Sequence, residues 1–209
     1  MLDLGRGEGL LTCALAARGA SAAGIDVDRR MLVAAQSRAV PPGGHCVFVE
    51  GRVEHLPFPG GVFDVVVAVT VRCFVSNPSL AVQEAVRVMR PGGSLVIGEL
   101  GRWNTWAARR RIRAWLGSQR WKAARFRTAG ELRSLLQPAG IAVAAVRGAV
   151  YYPPVGWMAR ILGPADRGLG ALTTFGAAFI GVAGTNDRSA RTGLSQTASG
   201  LQSATDFEL

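Results

Sequence analysis

A chain of 209 residues, about half of them hydrophobic, is long enough for one α/β domain with a full core and too apolar for global disorder. The formal charge of +10 invites a nucleic-acid partner, yet Lys122 is the only lysine, and abundant Ala, Gly and Val beside the arginines read as a compositional bias of the coding sequence. Cys13, Cys46 and Cys73 form no C-x-x-C, and His45 and His55 share no ligand spacing with them, so buried thiols in a reducing, cytoplasmic compartment are expected and a structural metal is not.

Met1 to Leu4 read as the back half of a buried strand, and Gly5, Gly7 and Gly9 turn it into a helix over Leu10–Arg18 that Gly19 ends. A glycine turn at that junction lets backbone approach a ligand and aims free helix N–H groups at it. The spacing G-x-G-x-G is one residue shorter than the dinucleotide fingerprint, and alone it also fits an ordinary turn. Ala22–Asp26 reads as a second strand. It ends in an acid 17 residues after Gly9, where ribose hydroxyls are held in this architecture. Asp28 fits the N-cap of the next helix, Asp28–Ser37, which leaves Asp26 free.

Val40–Gly44 is a turn, Cys46–Val49 a strand covered on both faces, and Gly51–Gly61 a loop. Phe63–Val69, the most β-branched run, is the central strand. Asn77 or Ser79 caps a helix over Leu80–Met89; Arg90–Gly93 is a stop and turn; Ser94–Gly98 is another buried strand. Alternating strand and helix define an α/β fold with a doubly wound, mostly parallel sheet and right-handed crossovers. Ligands of such sheets sit at the carboxyl ends of the strands.

After Glu99 the pattern changes. Trp103–Leu116 is helix-like, with Trp103, Trp106, Ala107, Ala114 and Trp115 at three- and four-residue spacing and Arg109, Arg110, Arg111 and Arg113 between them. Thr128-Ala129-Gly130-Glu131 is a capping box opening Leu132–Pro138. Ile141–Val146 and Phe175–Ala183 are late strands flanking the Tyr151–Pro154 loop and a short helix over Trp157–Leu162. From Gly184 to Leu209 the chain is a polar tail, expected to be disordered. Leu10–Ala17 is short for a signal peptide and follows Glu8 and the glycine turn. No stretch reaches the ~18 apolar residues of a membrane span; the best, Ala171–Ala183, carries Thr173, Thr174 and two glycines.

Several motifs now agree. Leu2-Asp3-Leu4-Gly5-x-Gly7-x-Gly9, Gly24-Ile25-Asp26 with Met31-Leu32, Glu54-x-Leu56-Pro57-Phe58 with Phe63-Asp64-Val65-Val66, and Glu84-x-x-Arg87-Val88-Met89-Arg90-Pro91-Gly92-Gly93 stand in order. Together they resemble the small-molecule class I S-adenosylmethionine-dependent methyltransferases, relatives of the quinone-biosynthesis enzymes, over roughly residues 1–183. The resemblance implies a Rossmann-like sheet with an antiparallel last strand, S-adenosylmethionine as cofactor and a small-molecule acceptor. It places Gly5, Gly7 and Gly9 against the methionine portion of the cofactor and Asp3 beneath that loop, reaching the amino end. Asp26 would take the ribose hydroxyls, the backbone of Val53 would lie near adenine, and Val69 and Thr70 would floor the reacting methyl.

Arg6, Glu8 and Arg52 depart from the family, which has a small residue, Thr and Asp there; Arg52 cannot accept from the adenine amino group. The family's helical segment before the first strand has no counterpart in this sequence, so a truncated first strand is expected: either the true start lies further upstream, or the chain is a shortened copy, catalytically silent in the alternative reading. An NAD-dependent oxidoreductase is a further one. A nucleic-acid enzyme is not expected, because Thr70-Val71-Arg72-Cys73 replaces the Asn/Asp-Pro-Pro-Tyr/Phe motif. His55 is the nearest candidate base, weighed against a surface histidine. The Arg102–Arg127 stretch, an insertion, is either a solvated helix face with its tryptophans on the sheet or an acceptor lid.

Overall fold

The computed structural model describes residues 1–36, 45–71 and 75–187. Seven strands form one sheet in the order β3-β2-β1-β4-β5-β7-β6. They are β1 (Leu2–Leu4), β2 (Ser21–Asp26), β3 (His45–Glu50), β4 (Phe63–Val69), β5 (Met89–Leu100), β6 (Ile141–Ala149) and β7 (Phe179–Asn186). Strands β3, β2, β1, β4 and β5 run parallel, and β7 inserts antiparallel between β5 and β6, as the resemblance implied. The helices are α1 (Leu10–Ala16), α2 (Arg29–Gln36), α3 (Pro78–Val88), α4 (Thr105–Trp115), α5 (Gln119–Ala123), α6 (Ala129–Leu136) and α7 (Gly156–Leu172).

The main core joins Leu2, Leu4 and Ile25 to Val66, Leu95, Ile97 and Ile180 on the sheet. It continues through Val82, Ala85 and Val86 of α3 and Leu132 and Leu136 of α6. β1 is only three residues long, yet it lies between β2 and β4 and all three residues are buried. Asn77 caps α3 by accepting from the Leu80 N–H, with Pro78 in the first turn where a missing N–H is harmless. Thr128 and Glu131 close the predicted capping box on α6.

Several expectations change. β3 is an edge strand with Val47 60% exposed, because among the described residues no further strand pairs beyond it. Arg90–Gly93 is a bulge inside β5, not a turn before it: Phe63 pairs with Met89 and Val65 with Ser94, and Gly92 takes a φ of 75°. The predicted short helix at Trp157–Leu162 is the 17-residue α7, running through Pro164. Packing overrides the breakers here. Gly170 lies so close to β6 that a Cβ would sit 2.0 Å from the Gly148 carbonyl, and Asp166 accepts from the Val150 and Tyr151 N–H groups at 2.8 and 2.9 Å.

β7 begins four residues later than predicted and extends to Asn186, so the expected tail starts inside the sheet. Residues 188–209, the Val40–Gly44 turn and Cys73 lie outside the described residues. Cys13 and Cys46 are half-buried rather than buried, and burial pushes the Cys46 thiol up to about 11.

Candidate functional site

The carboxyl ends of β1, β2, β3 and β4 meet at one edge of the sheet and surround an open cleft of about 380 Å³, within the ~300–1,000 Å³ usual for small-ligand sites. Gly5 follows β1, Asp26 ends β2, Gly51 to Glu54 follow β3, and Thr70 follows β4; Val27, Val71 and Val75 supply apolar wall. Of the predicted contacts, the cleft gathers Gly5, Asp26, Val53 and Thr70. Asp3, Gly7, Gly9 and Val69 are not in its lining.

Gly5, Gly7 and Gly9 all take positive φ, at 61°, 53° and 76°. That is the conformation glycine adopts without the strain a side chain would bring. A Cβ on Gly5 would lie 2.3 Å from a Val71 methyl on the cleft wall. Asp26 ties the loop to the turn that opens α2. Asp26 Oδ2 accepts from the Gly7 N–H at 2.8 Å, and Oδ1 accepts from the Asp28 N–H at 3.0 Å. Asp28 does cap α2, accepting from the Arg30 N–H at 2.9 Å, but Asp26 is not free as the spacing predicted: it clasps the glycine loop as well as lining the cleft.

Asp3 is 3% exposed beneath the loop, and its Oδ2 accepts from Thr12 Oγ1 at 2.6 Å. Burial pushes its carboxyl up to about 6, against the opposing pull of the Thr12 hydroxyl and the Arg6 charge. Arg6 does not enter the cleft. It turns back over β2 and β3, stacks on Phe48 at 4.5 Å, and donates to the Gly7 and Met31 carbonyls at 3.1 and 3.3 Å. Room for it exists because residue 24 is glycine: a Cβ there would lie 2.4 Å from Arg6 Cδ. Glu8 is exposed. Arg52 does line the cleft, its side chain 60% exposed at the rim and 3.5 Å from Glu54.

The Gly51–Glu54 segment is held in place from a distance. Arg87 and Glu84 of α3 pair at 2.6 Å; Arg87 donates to the Phe58 and Leu56 carbonyls at 2.8 and 3.0 Å, and Glu84 accepts from the Leu56 N–H at 2.8 Å. The Arg87 hydrogen bonds hold the Glu84 carboxyl below its usual range and raise Arg87. In the sequence the two residues are visible only as parts of a motif. Thr70 was placed on the floor but not as a strained residue: its φ is 56°, unusual for a β-branched side chain, and its N–H donates to the Gly98 carbonyl at 2.7 Å. No signal in the sequence marks that conformation. His55 is exposed and absent from the cleft lining, as the surface reading had it.

The predicted lid residues lie elsewhere. Trp106 lines an apolar groove of about 470 Å³ with Tyr152, Pro153, Pro154 and Ala159, which shares no residue with the cleft, and its Nε1 donates to the Tyr152 carbonyl at 2.8 Å. Trp103 precedes α4, whose cap is Asn104, and Arg111 lies over its ring at 5.8 Å. The tryptophans do not all pack on the sheet, since Trp103 is 58% and Trp115 85% exposed.

Five parallel strands with β7 antiparallel between β5 and β6, and a glycine loop and an acid meeting at one cleft, define the class I methyltransferase fold. Comparison with known proteins agrees: residues 2–97 match the methyltransferase domain family. Over 153 residues the chain is 34% identical to an uncharacterized protein of Mycobacterium tuberculosis, covering 73% of this chain and 50% of that one. Over 160 residues it is 32% identical to the ubiquinone biosynthesis O-methyltransferase of Azorhizobium caulinodans, covering 73% and 62%. The chain thus spans about half the length of the mycobacterial relative. Among solved structures, an S-adenosylmethionine-dependent methyltransferase of Thermotoga maritima, described as a possible histamine N-methyltransferase, matches with a TM-score of 0.68 and 24% identity, over 88% of this chain and 81% of that one. The fold is therefore that of the S-adenosylmethionine-dependent class.

Proposed function

We propose that this chain moves the methyl group of S-adenosylmethionine to a small-molecule acceptor. The observation that carries this reading is the convergence of Gly5, Asp26, Val53 and Thr70 on one open cleft that neither Arg6 nor Glu8 fills. The residues present suit the cofactor. Val27, Val71 and Val75 offer apolar wall for a base, while Asp26 and Glu54 offer carboxylate acceptors for hydroxyl and amino groups. The glycine loop, shaped from below by Asp3, would back the methionine portion; Asp26 would take the ribose, Val53 the base, and Val69 with Thr70 the floor. When bound, the sulfonium supplies an activated methyl and its own leaving group. The work left to the chain is to align the acceptor in line and to exclude water. The likeness to a quinone-pathway O-methyltransferase supports an acceptor of small-molecule size.

Calorimetry with S-adenosylhomocysteine tests the cofactor seat; a saturable heat is expected, and none from folded protein refutes it. One observation favours a second reading, a catalytically silent relative. Arg52 lines the cleft where the family has an acid, and it can only donate. In that case wild type gives no heat and Arg52→Asp does. Methyl transfer itself is read as S-adenosylhomocysteine release in the presence of phenolic and amine acceptors.

A further inference from the structure

The charge of this protein is not spread over it. Residues 102–175 carry 13 basic and 2 acidic side chains, so the remainder of the chain is close to neutral and this stretch accounts for the whole excess. The same stretch holds most of the exposed large hydrophobic side chains among the described residues, including three of the five tryptophans. In most soluble domains a charged surface and an apolar surface are separate features; here they interleave on one helix.

α4 makes the arrangement concrete. Ala107 is its fully buried position, and Arg110 and Ala114, one and two turns on, are partly buried with it. On the opposite side stand Ala108, Ile112, Trp115 and Leu116 at three- and four-residue spacing; Ile112 is 57%, Trp115 85% and Leu116 72% exposed. Arg109 and Arg113, both exposed, border that stripe, and α4 contains no acid. α7 repeats the pattern: Trp157, Ile161 and Leu172 are 63%, 66% and 85% exposed, with Arg160 and Arg167 exposed on the same helix. Both helices follow strands at their cleft-side ends, and the groove lined by Trp106 and Ala159 lies between them. An apolar stripe with tryptophan at its end and arginine along its border suits the boundary of a bilayer, where the rings and methyl groups enter the acyl edge and the guanidinium groups stay with phosphate.

We propose that the outward face of α4, joined by α7, docks this protein on an anionic phospholipid surface without crossing it. Charge complementarity selects the partner, since about 1 kcal/mol, roughly fivefold in affinity, attaches to each arginine near such a surface. The apolar stripe separates this partner from a nucleic acid, which would use the arginines but not Ile112 or Leu116. The proposal stands apart from the transfer chemistry, because none of these side chains lines the cleft.

The test is flotation of the full chain with vesicles of phosphatidylglycerol and phosphatidylcholine, compared with pure phosphatidylcholine, alongside tryptophan emission. Binding to the anionic vesicles only, with a blue shift that Trp115→Phe diminishes, is expected. Ile112→Ser with Leu116→Ser is expected to weaken binding roughly tenfold or more, as is Arg109→Gln with Arg113→Gln. All four positions are exposed, so circular dichroism and Tm serve to show the variants folded. Absence of flotation with anionic vesicles overturns the proposal. So does flotation that the serine pair leaves unchanged, or RNA binding of equal strength with the same indifference, which would mark a simple polyanion surface. A concentration-dependent dimer that the serine pair dissolves, without vesicle binding, assigns the face to a second copy and overturns it too.

Discussion

Replacing Asp3 with Asn isolates one ionisation from the rest of the fold. In the folded protein Asp3 is 3% exposed and burial carries its carboxyl from 3.8 to about 6. Folding therefore favours its protonated form. Between pH 4 and 6 the folded state holds a proton that the unfolded chain has already lost, so stability falls as pH rises through that window. Below it both states are protonated and the penalty is absent; above it both are ionised and the penalty is complete. A displacement of roughly two units at about 1.4 kcal/mol each makes the full penalty about 3 kcal/mol. Asn has the same shape, can still accept from Thr12, and cannot ionise. Its buried amide shifts the stability curve by a constant, but the slope assigned to Asp3 disappears.

The assay is urea unfolding followed by tryptophan fluorescence, for wild type and Asp3→Asn, at half-unit steps from pH 4 to 7.5. Relative to wild type, Asp3→Asn is expected to gain about 2 kcal/mol on going from pH 4 to 7, since the unfolded carboxyl is already half-ionised at pH 4 and every other titrating group is common to both chains. Thr12→Val, which removes the 2.6 Å hydrogen bond to the carboxylate, is expected to carry the decline to higher pH and enlarge it. Parallel curves for wild type and Asp3→Asn would refute the assignment of the buried charge to Asp3.

Three further outcomes follow from contacts around the cleft. Gly24→Ala places a methyl 2.4 Å from Arg6 Cδ and is expected to lose about 1–3 kcal/mol by overpacking; Arg6→Ala in the same chain should restore most of it, a non-additivity read by thermal denaturation of the single and double variants. Gly5→Ala combines a left-handed φ of 61° with a methyl 2.3 Å from Val71, so a loss of about 1–2 kcal/mol or more is expected, together with loss of S-adenosylhomocysteine heat. Glu84→Gln removes the charge that Arg87 pairs with at 2.6 Å; hydrogen–deuterium exchange should rise at Leu56, whose N–H Glu84 accepts, and stability should fall by about 1–2 kcal/mol after allowance for partial exposure.

These positions show how motif and mechanics divide. The Glu84–Arg87 pair is recognisable by spacing alone, but its work is done 28 residues upstream, where it fixes the loop that carries Arg52, Val53 and Glu54 to the cleft. Arg6 is a departure inside the glycine loop, and its spacing does not say where the side chain goes. Its actual direction depends on Gly24 and Phe48, one on β2 and the other on β3, which only the folded sheet brings beside it.

Period and punctuation along the chain were enough for the parallel sheet, the central place of Phe63–Val69, the glycine loop, the cap at Thr128 and the pair of candidates, Asn77 and Ser79, of which Asn77 is the cap, because each rests on contacts within a few residues or on burial of a whole strand. Long-range pairing settled the rest. The apolar run of β3 reads the same at an edge as in the middle. The Pro and Gly residues of α7 break a helix only until β6 is there to pack against, and Arg90–Gly93 is a bulge only because β4 runs alongside. Local propensity is worth tenths of a kcal/mol to about 1 kcal/mol per residue for most residue types, so burial against a neighbour distant in sequence can reverse it, and no local pattern records which neighbour that will be.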